Sequence, residues 1–152
     1  MSRATGPAAM DSGRPAAGLP ETGASKTGAD RAGRLPRVLH VDETPGWRGG
    51  QQQVWSLLTG LAGRGYPAML ACRPGSELET RCKAAGIERL LLPLAGEIDA
   101  GSGFRIARFC GRGGVDILQA HTSHGLAVCL WARMCRPSLR IVAARRVDFH
   151  VG

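Results

Sequence analysis

The sequence predicts an α/β fold in which a parallel sheet of about five strands carries helices on both faces. From residue 35 onward, short apolar runs alternate with amphipathic segments, which is typical of repeated strand–helix–strand units. The apolar runs are nearly continuous, as expected of parallel strands that are covered on both faces. The length of 152 residues favours one domain. The sequence has no run of about 18 apolar residues, the length that a membrane-spanning helix needs.

Residues 1–34 differ in composition from the rest of the chain and predict a disordered extension. Ala, Gly, Ser, Thr and Pro dominate this segment, and its large apolar residues are Met1, Met10 and Leu19. Such a segment buries too little apolar surface to offset the entropy of ordering. It also lacks the apolar stretch of a secretory signal peptide. We therefore expect a folded domain over residues 35–152.

The first half of this domain predicts two strands and two helices. Residues 37–41 and 67–72 are apolar runs that fit strands. Between them, residues 51–64 carry large apolar side chains at the spacing of one helical face, and glycines end this helix. A serine and a glutamate three residues apart match a capping box, which begins a second helix over residues 76–85.

The second half continues the alternation with three strands and two helices. Residues 89–94, 115–118 and 139–144 are the strand candidates. A short helix is expected over residues 104–110, where a run of glycines ends it. The last helix extends from Ser123 to about Cys135, with Ser123 as its cap.

The chain is basic, and its charge pattern argues against nucleic acid as a partner. It has 20 Lys and Arg against 12 Asp and Glu, for a formal charge of +8. The cations are scattered and are not interleaved with aromatic residues, as they often are in a nucleic-acid-binding surface. A basic chain still favours anionic partners, such as phosphates, nucleotide sugars or the negative face of a bilayer.

The five cysteines predict neither a disulfide framework nor a zinc site. Their number is odd and no C-x-x-C pair is present. Free thiols in a reducing cytosol are the expectation.

The loop after the first strand, residues 42–50, is the first candidate site, since parallel sheets bind ligands at the carboxyl ends of their strands. Gly49 and Gly50 would stand where a helix begins, and the N–H groups and dipole of a helix start favour a phosphate. Trp47 is expected to line the cleft. The alternative is a long turn in which the glycines serve only backbone geometry. The loop lacks the G-x-G-x-x-G pattern of dinucleotide sites.

Polar side chains also follow the fourth and fifth predicted strands. His121 would stand at the tip of the fourth strand, where it can bind a sugar or a hydroxyl, with Ser123 close by. A third metal ligand is not evident there, so no metal site is expected. Arg145, Arg146 and Asp148 follow the fifth strand, where two arginines suit bidentate phosphate or carboxylate contacts. The alternative for these last residues is a surface Arg–Asp pair.

Several segments, taken in order, resemble the N-terminal domain of family 4 glycosyltransferases, which have the GT-B fold. The resemblance begins with a strand, a Gly-Gly loop and a helix that ends in a Leu-x-x-x-Gly phrase, and it extends from residue 35 to the C-terminus. The matching segments are Val38–Val41, Gly46–Gln51, Leu57–Gly65, Arg73–Leu78, Ala84–Ile87, Val115–His121 and Arg145–Phe149.

The resemblance implies a Rossmann-like domain that forms the N-terminal half of a GT-B fold. It implies transfer of a sugar from a nucleotide-sugar donor to a hydroxyl of an acceptor glycan or lipid, in cell-envelope or glycoconjugate synthesis. No metal or other cofactor is expected. Gly49 and Gly50 match the loop that approaches the donor diphosphate, and His121 matches a histidine of the family's strand-four phrase. Arg146 stands where the family often has a histidine. Such an enzyme is expected in the cytoplasm, with peripheral contact at the inner face of the membrane as a further expectation.

The family's second domain, which holds the donor nucleotide, has no counterpart in this sequence. We therefore expect a truncated or split member that is inactive alone, with a separately encoded C-terminal domain as its partner. Two alternatives stay open. One is a non-catalytic α/β module that binds a sugar or an anionic lipid, and the other is a different nucleotide-binding protein of the flavodoxin-like kind.

Overall fold

The computed structural model describes residues 33–96 and 99–144, in which strands and helices alternate. The elements are β1 (Val38–Asp42), α1 (Gly49–Gly63), β2 (Ala68–Cys72), α2 (Glu77–Ala84), β3 (Arg89–Leu91), α3 (Ala100–Gly113), β4 (Ile117–Ala120), α4 (Ser123–Cys135) and β5 (Arg140–Ala143). The strands form one sheet in the order β3-β2-β1-β4-β5, and every neighbouring pair is parallel. The predicted Rossmann-like α/β fold with five parallel strands is confirmed.

The two faces of the sheet bury separate apolar clusters, because successive strand residues point to opposite faces. Leu39 and Val41 of β1 belong to the cluster beneath α3 and α4. Leu70 and Cys72 of β2 belong to the cluster beneath α1 and α2. Helices therefore lie on both faces, as the sequence predicts.

The start of α2 forms half of the predicted capping box. The Ser76 hydroxyl accepts a hydrogen bond from the Glu79 N–H at 3.2 Å, as expected of a cap. The Glu79 carboxylate pairs instead with Arg89 of β3, at 2.6 Å. Because that carboxylate is engaged by β3, it ties α2 to the edge of the sheet.

Several predicted boundaries differ from the structure, and for three of them the chain shows the reason. Helix α3 begins at Ala100, well before residue 104, because the Asp99 carboxylate caps it through the Ser102 N–H at 2.8 Å. Strand β4 begins two residues later than expected, because Val115 closes the end of α3 through a hydrogen bond to the Cys110 carbonyl. Strand β3 ends at Leu91, two residues before a proline, which has no N–H to donate to a neighbouring strand.

Helices α3 and α4 are in direct contact at Gly103. A β-carbon built on Gly103 would lie 2.5 Å from Cβ of Trp131 and 3.2 Å from the Val128 carbonyl oxygen. Only a residue without a side chain allows this approach. The two helices therefore form one layer over the sheet and pack closely against each other at this point.

The described chain begins just before the predicted domain boundary at residue 35. Arg34 donates to the Gly114 carbonyl at 3.0 Å and pairs with the Asp116 carboxylate at 2.8 Å, which ties this segment to the start of β4. The rest of the predicted N-terminal extension, residues 1–32, lies outside the described residues. Among the helices that are described, none has the length and apolar character needed to cross a bilayer.

Candidate functional site

The topological switch point of the sheet lies between β1 and β4. From β1 the chain continues to β2 and β3 on one side, while β4 and β5 lie on the other side. Loops that leave two such neighbouring strands diverge, and the crevice between them is where open α/β sheets bind ligands. Of the predicted site residues, Trp47, Gly49 and Gly50 follow β1, and His121 and Ser123 follow β4.

Asp42 ends β1 and fixes the loop that follows it. Its side chain is buried, and its carboxylate accepts the Thr44 N–H at 2.9 Å. The amide of Gln51, in the first turn of α1, donates to the same carboxylate at 3.3 Å. A buried carboxylate needs such donors to replace its water. The two contacts hold the start of α1 against the end of β1.

Gly49 and Gly50 form the first turn of α1, so they are helical rather than part of the preceding loop. The N-cap residue, Arg48, makes no side-chain cap, and the first turn has no acidic side chain. A β-carbon on Gly49 would meet no heavy atom within 4 Å, and Gly49 has no positive φ. Neither packing nor backbone strain in the described residues therefore requires glycine there. An accessible helix start of this kind suits a bound anion.

Trp47 anchors the loop to α2. Its ring is half-buried against the apolar cluster beneath α1 and α2. The Arg81 guanidinium lies 3.9 Å from the ring centroid, in a cation–π contact. The Glu77 N–H donates to the Pro45 carbonyl at 3.3 Å. The structure thus gives Trp47 a packing role, and its contact with a ligand stays a prediction.

His121 follows β4 and is paired with His40 of β1. The two side chains are buried, Nδ1 of His40 lies 3.0 Å from Nε2 of His121, and the rings are stacked with centroids 5.3 Å apart. Burial, reinforced by the neighbouring His121, lowers the pKa of His40 to about 3. His40 is therefore neutral at physiological pH and carries one ring proton.

The position of that proton determines what His121 can do. Nε2 of His40 is buried and has no hydrogen-bond partner among the described residues. A buried, unpartnered N–H forfeits its bond to water, so we assign the proton of His40 to Nδ1, where it is donated to His121. Nε2 of His121 is then the acceptor of this hydrogen bond, and Nδ1 of His121 carries a proton. With this assignment His121 is a hydrogen-bond donor at Nδ1.

A second link joins the two loops and was not foreseen from the sequence. The Thr122 hydroxyl donates to the Glu43 carboxylate and accepts the Gly125 N–H at 2.9 Å. The His121 N–H donates to the Val41 carbonyl at 3.1 Å. A β-carbon on Gly125 would lie 2.9 Å from the Thr122 hydroxyl oxygen. A glycine in the first turn of a helix is the one sequence signal that marks this close approach.

The predicted cap of α4 is wrong by one residue. Thr122 is the N-cap, and Ser123 is the first helical residue with an exposed side chain. The Thr122 hydroxyl is in the capping position because the chain leaves β4 in an extended conformation at that residue. Ser123 remains beside the switch point, and its predicted contact with a ligand stays a prediction.

The remaining predicted site residues, Arg145, Arg146 and Asp148, lie outside the described residues. Within residues 33–96 and 99–144, no group of three or more His, Cys, Asp or Glu side chains could hold a metal ion. A cavity of about 200 Å³ lies at the other end of the sheet, near the first residues of β4 and β5. Its lining residues are Arg34, Pro36, Asp116, Ile117, Ser138 and Arg140. That position is far from the switch point, so we do not assign the site there.

Comparison with known proteins identifies the fold through solved structures. No protein-family model and no curated protein matches the chain. A glycosyltransferase from Rickettsia africae has a TM-score of 0.62 and 11% identity, over 75% of this chain and 31% of its own. HepE from Anabaena, solved in complex with UDP, has a TM-score of 0.56 and 13% identity, over 70% of this chain and 28% of its own. MurG from Acinetobacter baumannii has a TM-score of 0.54 and 14% identity, over 71% of this chain and 34% of its own.

The first of these structures is a glycosyltransferase by name, and each of the three proteins is much longer than the matched part. The chain spans 31%, 28% and 34% of their lengths. At such low identity the likeness establishes a shared fold. The described residues therefore form an α/β domain of the kind found in GT-B glycosyltransferases.

Proposed function

We propose that this chain is the acceptor-side domain of a family 4 glycosyltransferase, which transfers a sugar from a nucleotide-sugar donor to an acceptor hydroxyl. The observation that carries the proposal is the likeness to the Rickettsia enzyme, which covers three quarters of this chain. The polar groups at the switch point support it, because they lie where this architecture binds its ligands. The acceptor would be a glycan or a lipid, in cell-envelope or glycoconjugate synthesis.

The start of α1 is the proposed contact for the donor diphosphate. Its N-cap makes no side-chain bond, and the space beside Gly49 is open. Backbone N–H groups and the helix dipole would stabilise the negative charge that collects on a leaving diphosphate, without a metal. HepE from Anabaena was solved with UDP and glucose, which supports a nucleotide sugar as the donor class.

The loop after β4 is the proposed sugar contact. His121 is held by His40, and in the assigned tautomer it would donate to a sugar or phosphate oxygen. Thr122 and Glu43 hold the two loops together, so the distance between the diphosphate and sugar contacts would be fixed before substrate binds. Such preorganisation reduces the ordering that binding requires.

A second domain would supply the donor nucleotide pocket, and we propose that the chain alone is inactive. The chain matches only 31% of the Rickettsia enzyme, and a cleft between two domains is a common place for a substrate site. The assembled enzyme would work at the inner face of the membrane.

Transfer of a radiolabelled sugar tests this proposal. The full chain is mixed with the donor-binding domain sought in the neighbouring reading frames, together with nucleotide sugars and acceptor extracts. Transfer is expected only when both parts are present. Gly49→Asp should lower it about a hundredfold, the scale of losing an electrostatic donor, and His121→Ala should also lower it.

Gly101→Asp is the matched control, because it adds the same charge to the first turn of α3, where Gly101 is exposed. An acidic residue in a first turn favours the helix, so both variants should fold. Transfer that is equally strong in Gly49→Asp and Gly101→Asp would refute the diphosphate site. Ligand binding without any transfer in the mixture would instead favour a non-catalytic binding module.

A further inference from the structure

The cavity of about 200 Å³ at the amino ends of β4 and β5 lies at the opposite end of the strands from the switch point. Arg34, Asp116, Ser138 and Arg140 supply its polar lining, and we call it the amino-end cavity. Close-packed proteins leave few voids larger than one water molecule, whose share of the liquid is about 30 Å³. The amino-end cavity is several times larger and has room for a small molecule.

The arrangement of the helices leaves this part of the sheet open. Ile117 and Arg140, the first residues of β4 and β5, are partners in the sheet. The residues that follow them, Leu118 and Ile141, belong to the cluster beneath α3 and α4, so Ile117 and Arg140 point to the other face. Among the described residues, the cluster on that face, beneath α1 and α2, includes none from β4 or β5. The cavity is therefore a consequence of the strand and helix order.

One wall of the cavity is a fixed ion pair. Arg34 meets the Asp116 carboxylate with both terminal nitrogens, at 2.8 and 2.9 Å, and donates to the Gly114 carbonyl at 3.0 Å. The Arg37 N–H donates to the same carboxylate at 3.0 Å. Asp116 thus balances the charge of Arg34, and the two side chains are held in place before a ligand binds.

The rest of the polar lining carries donors that the fold does not use. Within residues 33–96 and 99–144, the exposed side chains of Ser138 and Arg140 form neither an ion pair nor a side-chain hydrogen bond. A guanidinium offers five N–H donors and no acceptor, and a serine hydroxyl can donate one more hydrogen bond. With Arg34 balanced by Asp116, the described lining has one positive charge in excess, which fits one anionic group.

The remaining lining of the cavity is apolar and comes from Pro36 and Ile117. We propose that the amino-end cavity binds a small oxyanion, a carboxylate or a phosphate ester that carries a short apolar part. Its oxygens would pair with Arg140, whose planar guanidinium matches both kinds of oxyanion, and would accept the Ser138 hydroxyl. The volume is below the range of about 300–1,000 Å³ that is usual for drug-sized ligands, which limits the apolar part to a few carbons.

This site goes beyond the proposed sugar transfer, because the cavity and the switch point lie at opposite ends of the strands. Its test needs neither a nucleotide sugar nor a second domain. Failure of oxyanion binding would therefore leave sugar transfer unaffected, and failure of sugar transfer would leave oxyanion binding unaffected.

Amide spectra of the ¹⁵N-labelled full chain provide the test. Butyrate and butyl phosphate are added separately, and 1-butanol is the uncharged compound with the same apolar part. We expect each anion to shift the amide signals of Ile117, Ser138 and Arg140 in a saturable way, and 1-butanol to shift none of them. The anion with the lower dissociation constant shows whether the cavity prefers a carboxylate or a phosphate ester.

Two substitutions test the donors, with binding followed at the Ile117 amide. Arg140→Gln should raise the dissociation constant of the preferred anion at least about tenfold, because hydrogen bonds to charged groups are the stronger ones. Ser138→Ala should raise it about fivefold, the scale of a neutral hydrogen bond. The control is Arg108→Gln, which removes the same charge from an exposed side chain of α3 and should bind like the unchanged chain. Amide signals away from the cavity verify that each variant is folded.

Three results would overturn the proposal. The first is the absence of a saturable shift at the cavity with both anions. The second is binding of 1-butanol as tight as that of the anions, because the cavity would then be only an apolar void. The third is an effect of Arg140→Gln no larger than that of Arg108→Gln.

Discussion

Acid should destabilise the fold through His40, and the size of the effect can be worked out from its pKa. Burial first, and then the neighbouring His121, lowers the pKa of native His40 from 6.5 to about 3. In the unfolded chain His40 takes up a proton near the ordinary value, so between these two values the unfolded state binds one proton more than the native state. Stability should therefore fall as the pH drops below about 6.5, and should not depend on His40 above it.

The magnitude follows from the pKa difference. Each unit is worth about 1.4 kcal/mol, so the His40 contribution at pH 5 amounts to about 2 kcal/mol of lost stability relative to pH 8. The assay is urea unfolding across this range, for the unchanged chain and for His40→Gln. Glutamine does not titrate, and its amide can still donate to Nε2 of His121. The variant should lose about 2 kcal/mol less than the unchanged chain on acidification.

The control is His124→Gln, which removes a half-buried histidine from the same edge of the sheet. The read-out is the change of stability with pH, so a constant cost of either substitution cancels. If the unchanged chain and His40→Gln lose equal stability between pH 8 and pH 5, the burial of His40 as a neutral partner of His121 is refuted.

Three further predictions concern the packing and the cap. Gly103→Ala should lower the free energy of unfolding by about 1 to 3 kcal/mol, because the added β-carbon would lie 2.5 Å from Cβ of Trp131 in α4. Gly49→Ala, with open space around the site, should change the free energy of unfolding by less than about 0.5 kcal/mol. Equal effects of the two substitutions in urea unfolding would contradict the contact between α3 and α4. Thr122→Val should lower the free energy of unfolding by about 1 kcal/mol, the usual contribution of an N-cap, while Ser123→Ala should leave it almost unchanged. A larger loss from Ser123→Ala than from Thr122→Val would show that Ser123 is the cap. A thiol reagent should modify Cys135 fast and the four buried cysteines slowly, because burial raises the pKa of those four thiols. Rapid reaction of more than one thiol would contradict the burial of these cysteines in the core.

The fold could be predicted because its signals are local. Apolar runs and helical spacing place each strand and helix within a few residues, and the alternation of the two fixes a parallel sheet. The predicted ends of helices and strands were wrong where hydrogen bonds set the observed ends. The Asp99 carboxylate extends α3 at its start, and the Val115 N–H closes its end. Apolar character alone did not distinguish Val115 in a helix end from a residue in a strand.

The candidate site could be predicted only in part, because its contacts join distant segments. His40 and His121 are 81 positions apart, and Glu43 and Thr122 are 79 positions apart. Both pairs form because β1 and β4 are neighbours, a consequence of the strand order that local patterns do not contain. The sequence marks His121 by its position at a predicted strand tip, whereas His40 is one residue within a predicted strand.

The position of the ligand site at the switch point is the central claim, and the backbone amide spectrum of the full chain tests it most directly. UDP and glucose are added separately to the ¹⁵N-labelled chain. We expect UDP to shift the amide signals of residues 49–51 and glucose to shift those of residues 121–123. Gly49→Asp should remove the UDP response and Gly101→Asp should keep it. Shifts confined to the cavity around Arg34 and Asp116, or an undiminished UDP response in Gly49→Asp, would refute a ligand site at the switch point.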